Sequence, residues 1–241
     1  MSRGIGAFEA VQSTVPDQLA IFVALATQLA DVWFVSVVLA VLYWYADDDI
    51  IDRESVAVVA GLALGALALV YALKYTFALP RPPTRLAQPE QYPGALEALY
   101  AATGTASGYG FPSGHAVLST TFYGLLAQRL SILSRRRRYG VAATLVTIVC
   151  LSRVVLGVHF LVDVVAGAAL GIVYVSSTWE LLDRVEHPAT AAFGIAAGLG
   201  ALAVVASGVG FETVALLGVG LAGLGWRLGL RRRDAAASLA S

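Results

Sequence analysis

Seven apolar stretches, each near the length of a bilayer crossing, set the limits on what this chain can fold into. They run roughly over 31–46, 55–79, 113–132, 139–157, 160–181, 190–208 and 213–229. In hydrocarbon a backbone N–H or carbonyl finds no water. A stretch of this length therefore crosses as a helix that satisfies its own polar groups. Of the 241 residues 58% are hydrophobic and 13% charged, and the mean hydropathy is +0.76. That composition cannot supply the polar surface of a soluble domain. The expected fold is all-α: a polytopic transmembrane helical bundle of about seven spans, six at the lower count.

Charge and cysteine content remove other classes. The formal net charge is zero, and no basic stripe is interleaved with aromatics, so no nucleic-acid partner is expected. Cys150 is the single cysteine, which rules out an intrachain disulfide framework or a thiolate metal cluster. The first residues carry Arg3, then Glu9 and Asp17, unlike the compact basic start of a cleavable signal peptide.

Orientation follows from arginine. Arg135–Arg138 stand in the tight connection after the third stretch, and Arg231–Arg233 directly after the last. Basic residues in short loops stay cytoplasmic. Four spans separate the two blocks, so both can lie inside together. The loop 80–112 and the turn near 158–160 then fall outside, and the C-terminus inside. Glycine pairs four apart (Gly61/Gly65, Gly167/Gly171 and Gly194/Gly198) suit close helix packing within the bundle, or between copies in a homo-oligomer.

Charges at the ends of apolar spans are costly and usually functional. Three clusters stand at the outer side. In the first, Lys74 and Arg81 are seven residues apart, two helical turns, until Pro80 and Pro82 break the helix. Two cations on one face suit a phosphate, although either alone reads as a side chain snorkelling to the membrane edge. In the second, Pro112-Ser113-Gly114-His115 opens the third span. Ser113 is placed to cap the helix, Gly114 to let an oxyanion approach the backbone, and His115 to sit one turn in. A capped helix start with an incidental histidine reads equally well there. In the third, His159 and Asp163 are four apart and share a helical face. A carboxylate on one imidazole nitrogen orients the other as a nucleophile. Arg153 adds a cation, and Gly157 permits the turn between them. A structural His–Asp pair would leave Arg153 unexplained. Together these residues make a set for phosphoryl transfer that calls for no metal and no cofactor.

The three clusters resemble the signature of the type 2 phosphatidic acid phosphatase (PAP2) family, which shares its active site with vanadium haloperoxidases and bacterial acid phosphatases. The pattern K-x6-RP, PSGH, SR-x5-H-x3-D is met at Lys74, Arg81 and Pro82, at Pro112–His115, and at Ser152, Arg153, His159 and Asp163. The resemblance implies that His159 attacks phosphorus, that Asp163 orients it, and that His115 protonates the leaving alkoxide and later activates water. It implies that Lys74, Arg81, Ser113, Gly114 and Arg153 hold the phosphoryl oxygens. The expected activity is hydrolysis of a lipid phosphate or polyprenyl diphosphate at the outer face of the cell membrane, with membrane lipids as neighbours. The rival is a lipid phosphotransferase passing the group to an alcohol; a non-enzymatic membrane protein is the remote alternative. The loop Leu86–Gly110 is the expected lid or head-group selector, with Arg85 an ordinary loop arginine. The chain divides into an interfacial segment at 1–30, a catalytic membrane domain at 31–185, two further transmembrane helices at 186–230 and a basic cytoplasmic tail at 231–241.

Overall fold

The computed structural model describes Pro16 and residues 19–240, with side chains as far as Arg233. Among these residues all regular structure is helical. In chain order the helices are α1 (Ala20–Thr27), α2 (Val32–Tyr45), α3 (Arg53–Phe77), α4 (Ala95–Thr103), α5 (Gly114–Arg129), α6 (Arg135–Val155), α7 (Leu161–Leu182), α8 (Pro188–Ser207) and α9 (Phe211–Ala240). A 3-10 turn at Gln28–Ala30 extends α1, and another lies at Pro89–Gln91.

Five of these helices (α3, α6, α7, α8 and α9 as far as Arg233) are long and apolar enough to cross a bilayer. Ala20–Ala30 with Val32–Tyr45 makes a sixth crossing bent by 48°. The break has a local cause. Asp31 is extended, and its carboxylate accepts a hydrogen bond from Val32 N at 2.7 Å, so one helix stops and the next is capped at that residue. The stretch expected to span at 113–132 is α5, which has 16 residues and covers roughly 24 Å. It is the central helix, packed by α3, α6 and α7, and most of its length is buried in protein. Of the interfacial segment expected over 1–30, residues 1–15, 17 and 18 lie outside the described part. Residues 20–30 pack onto α6 and α4.

Close helix approach follows the small residues. A Cβ on Gly61 would stand 3.0 Å from the Ala192 backbone, and one on Gly167 would stand 2.7 Å from the Ser113 carbonyl. Gly61 thus seats α8 on α3, the most extensive helix pair, and Gly167 seats α7 on α5. Gly65 and Gly171 are equally tight, whereas Gly194 and Gly198 meet nothing within 4 Å and face away from the bundle.

The two ends of the bundle differ chemically. At one end Glu54 accepts from Ala189 N at 2.9 Å and pairs with Arg227, joining the starts of α3 and α8 to α9. Arg129 stacks 4.9 Å from the Trp179 ring there, Arg138 donates to the Ala127 carbonyl, and Ser131 N meets the Ile50 carbonyl. Both arginine blocks belong to that end: Arg135–Arg138 open α6, and Arg231–Arg233 prolong α9. The opposite end carries the 80–112 connection, the α6–α7 turn and the starts of α2 and α9.

Candidate active site

Each site residue is delivered by the end of a helix or by the connection next to one. Lys74 lies in the last turn of α3, which stops where Ala78 adopts a left-handed conformation at φ 47°. Arg81 is therefore beyond the helix, not two turns along it as the spacing suggests, and returns on the chain after Pro80. Backbone carbonyls fix both cations. Lys74 Nζ donates to Tyr109 at 2.7 Å, Arg81 Nε to Ser107 and Gly108 at 3.1 Å, and Arg81 Nη1 to Val158 at 2.8 Å. Carbonyl partners orient a cation without cancelling its charge, so the pair stays available to an anion.

Ser113 is the N-cap position of α5. Its hydroxyl makes no cap hydrogen bond, contrary to the capping role expected of it. Its backbone N–H donates instead to the Asp163 carbonyl at 3.0 Å, which ties the start of α5 to the first turn of α7. The α6–α7 connection is built around Gly157 at φ 72°, a conformation that costs glycine nothing. Val158 N and His159 N both donate to the Arg153 carbonyl, at 3.2 and 3.3 Å, so the turn folds His159 back toward the end of α6.

His159 is 2% exposed and lies between two partners. Its Nε2 is 3.1 Å from Arg81 Nη1, and its Nδ1 is 3.6 Å from Asp163 Oδ2. A guanidinium only donates, so Nε2 acts as acceptor and the ring proton belongs on Nδ1, facing the carboxylate. Asp163 also accepts from Phe160 N at 3.0 Å, which holds the carboxylate in place. Burial first, then the charges of Arg81, Arg153 and Lys74, hold the His159 pKa well below the usual imidazole value, so Nε2 keeps its lone pair at neutral pH. Burial is also the main cause that brings Arg81 down to about 10, which leaves it charged.

Lys74, Arg81, Gly114, His115, Arg153 and His159 line one cavity of about 460 Å³. Ser113 and Asp163 stand behind this wall, both fully buried. Ser113 Oγ, His115 Nε2, Arg153 Nε and His159 Nδ1 are buried without a hydrogen-bond partner. Each such atom costs about 1–3 kcal/mol unless something else satisfies it, and four at one place mark a binding site. Among the described residues no three His, Cys, Asp or Glu side chains gather as a metal site would require.

Residues 54–186 match the PAP2 superfamily, more than half of the chain and all eight site residues proposed from the sequence. The chain belongs to this superfamily. Over 72 residues the chain is 38% identical to phosphatidylglycerophosphatase B of Bacillus subtilis (strain 168); the match covers 27% of this chain and 36% of that protein, so the chain spans about a third of the relative's length. The crystal structure of Aquifex aeolicus LpxE overlays with a TM-score of 0.57 at 19% identity, covering 75% of this chain and 96% of that one. That likeness is one of fold.

Two further parts make up the PAP2 cavity wall, of which the sequence reading named only the connection 86–110. The connection 86–110 is more than a surface loop: Tyr100, Leu86 and Ala87 form a small core with Ala20, Ala24, Leu156 and Val158, and Ser107 to Tyr109 face the cavity. Arg85 donates to the Ala106 carbonyl at 3.3 Å and does not line the cavity. Asp31 and Glu212 also line it, from helices outside the family match. The signal for these two was present: each is a single carboxylate at the end of an apolar span, at the same end of the bundle as the site.

Proposed function

We propose that this PAP2 protein is an integral-membrane phosphatase that hydrolyses a lipid phosphate through a phosphohistidine on His159, at the extracytoplasmic face. The convergence of Lys74, Arg81, His115, Arg153 and His159 on one cavity carries the reading. In the proposed first step His159 Nε2 forms a bond to phosphorus as the bond from phosphorus to the lipid oxygen breaks. His115 gives its proton to the departing alkoxide. In the second step His115 takes a proton from water, the resulting hydroxide attacks phosphorus, and the P–N bond breaks to release inorganic phosphate. Asp163 stabilises the Nδ1–H of His159 as positive charge builds on the ring. Lys74, Arg81 and Arg153, with Ser113 and the Gly114 N–H at the start of α5, take up the negative charge of the phosphoryl oxygens. The name of the relative, phosphatidylglycerophosphatase B, agrees with a lipid carrier for the phosphate.

Purified protein in detergent is expected to release inorganic phosphate from lipid phosphates at the same rate with and without EDTA. Vanadate, which adopts the five-coordinate geometry of the transition state, is expected to inhibit. Loss of activity on chelation with recovery on adding magnesium would refute the assignment of catalysis to side chains alone.

Sidedness rests on the two arginine blocks at the end opposite the cavity. Gln91 and Ser134 are both exposed, at opposite ends of the bundle, and Cys150 is half-buried. In a Cys150→Ala background in intact cells, an impermeant thiol reagent is expected to label Gln91→Cys and to spare Ser134→Cys. The reverse pattern would place the cavity, and its lipid, on the cytoplasmic leaflet.

A further inference from the structure

We infer that Asp31 and Glu212 form an anionic rim on the cavity that selects lipids bearing a single phosphate over lipid diphosphates, a reading that rests on the phosphatase function proposed above. The two carboxylates enter the same cavity wall from opposite parts of the chain, Asp31 at the start of α2 and Glu212 in the first turn of α9. Each also has a local duty. Asp31 Oδ1 caps α2 through Val32 N, and Glu212 complements the positive end of α9. Those duties account for a carboxylate at each position. They do not account for both facing a cavity that is otherwise built to attract anions.

The charges are graded by depth. His159 is 2% exposed and Arg153 3%, with Arg153 Nε lacking a partner, whereas Asp31 is half-buried and Glu212 exposed. Arg153 thus holds the depth of the site, Lys74, Arg81 and Asp31 stand half-buried along its wall, and Glu212 lies exposed at its mouth, with Asp31 close enough to act electrostatically on Arg153 and Glu212 on Tyr71. By formal charge, the three cations of the lining less its two carboxylates leave one net positive charge. A phosphomonoester puts its whole charge at the depth and presents a neutral alcohol at the mouth, where carboxylates accept hydrogen bonds from any hydroxyl. A diphosphate attacked at its terminal phosphorus must hold its second phosphoryl group nearer the lipid. That group then meets Asp31 and Glu212 and is repelled.

Asp31→Asn and Glu212→Gln keep shape and remove charge, and asparagine remains a good N-cap. For wild type, both single variants and the double variant, kcat/KM is measured on a diacylglycerol phosphate and on a polyprenyl diphosphate in neutral detergent. The ratio of diphosphate to monophosphate is expected to rise about fivefold per substitution at low salt and by less at 1 M salt. A second measurement needs no turnover: affinities for pyrophosphate and orthophosphate, by calorimetry, in a His159→Ala background with and without the rim substitutions. Preference for pyrophosphate is expected to rise by a similar factor. A ratio unchanged in both measurements overturns the rim. Failure of wild type to hydrolyse either lipid, with the binding ratio still shifted, overturns the phosphatase reading and leaves the rim standing as an anion selector.

Discussion

His159→Ala is expected to lower turnover of a lipid phosphate by about 10⁴-fold or more and to abolish any acid-labile phosphoenzyme. The size of the effect follows from the geometry around Nε2. Arg81 approaches that nitrogen at 3.1 Å, Asp163 lies behind the other at 3.6 Å, and the ring is held neutral. No other described imidazole is placed to replace it. His115 presents a buried Nε2 to the same cavity but has no carboxylate among its described partners, and His187 sits at the other end of the bundle beside Glu186. Rapid quench with a ³²P-labelled substrate, followed by acid and base stability of the label, reads out the intermediate. Near wild-type turnover by the alanine variant would sink the mechanism. Vanadate or phosphate affinity measured alongside shows that the variant is folded, since Lys74, Arg81 and Arg153 remain.

The second large effect depends on the leaving group. His115→Ala is expected to slow hydrolysis of a lipid phosphate by about 10²- to 10⁴-fold, the usual range for general acid catalysis. A lipid alkoxide leaves poorly without a proton, whereas 4-nitrophenolate leaves readily. The same variant is therefore expected to lose much less on 4-nitrophenyl phosphate when phosphoenzyme formation is followed by its initial burst. His115 stands at the start of α5, where the Ser113 N–H to Asp163 carbonyl bond sets its position relative to His159. Equal losses on both substrates would assign His115 to binding or packing rather than to proton transfer.

The parts of the molecule legible in the sequence are those governed by local rules. The stretch read at 55–79 is α3 at Arg53–Phe77, that at 160–181 is α7 at Leu161–Leu182, and that at 190–208 is α8 at Pro188–Ser207. The starts of α3 and α8 are sharp in sequence because Asp52 caps the first and Pro188 opens the second. Motif spacing likewise singled out Lys74, Arg81, His115, Arg153 and His159, which line one cavity. Periodicity was less informative about α5. Its 16 residues read as a span because they are apolar, but they are apolar because protein encloses them. Hydropathy cannot tell lipid from a packed neighbour.

Composition and spacing were enough to determine that the chain is helical, that it belongs in a membrane, and which residues to propose as the phosphate set, because each of these depends on the chemistry of a residue and its near neighbours in sequence. Tertiary structure alone decided the rest. It placed Arg81 by the carbonyls of Ser107, Gly108 and Val158, up to 77 residues away, and not by helical phase. It replaced the expected Ser113 side-chain cap with a backbone bond to Asp163, because α7 approaches α5 closely at Gly167. It also brought Asp31 and Glu212, 181 positions apart, to one cavity wall by packing α9 and α8 on α3 and turning the chain by 48° at Asp31. Contacts between residues so distant in sequence follow from how helix surfaces fit together, and no local pattern of residues encodes that fit.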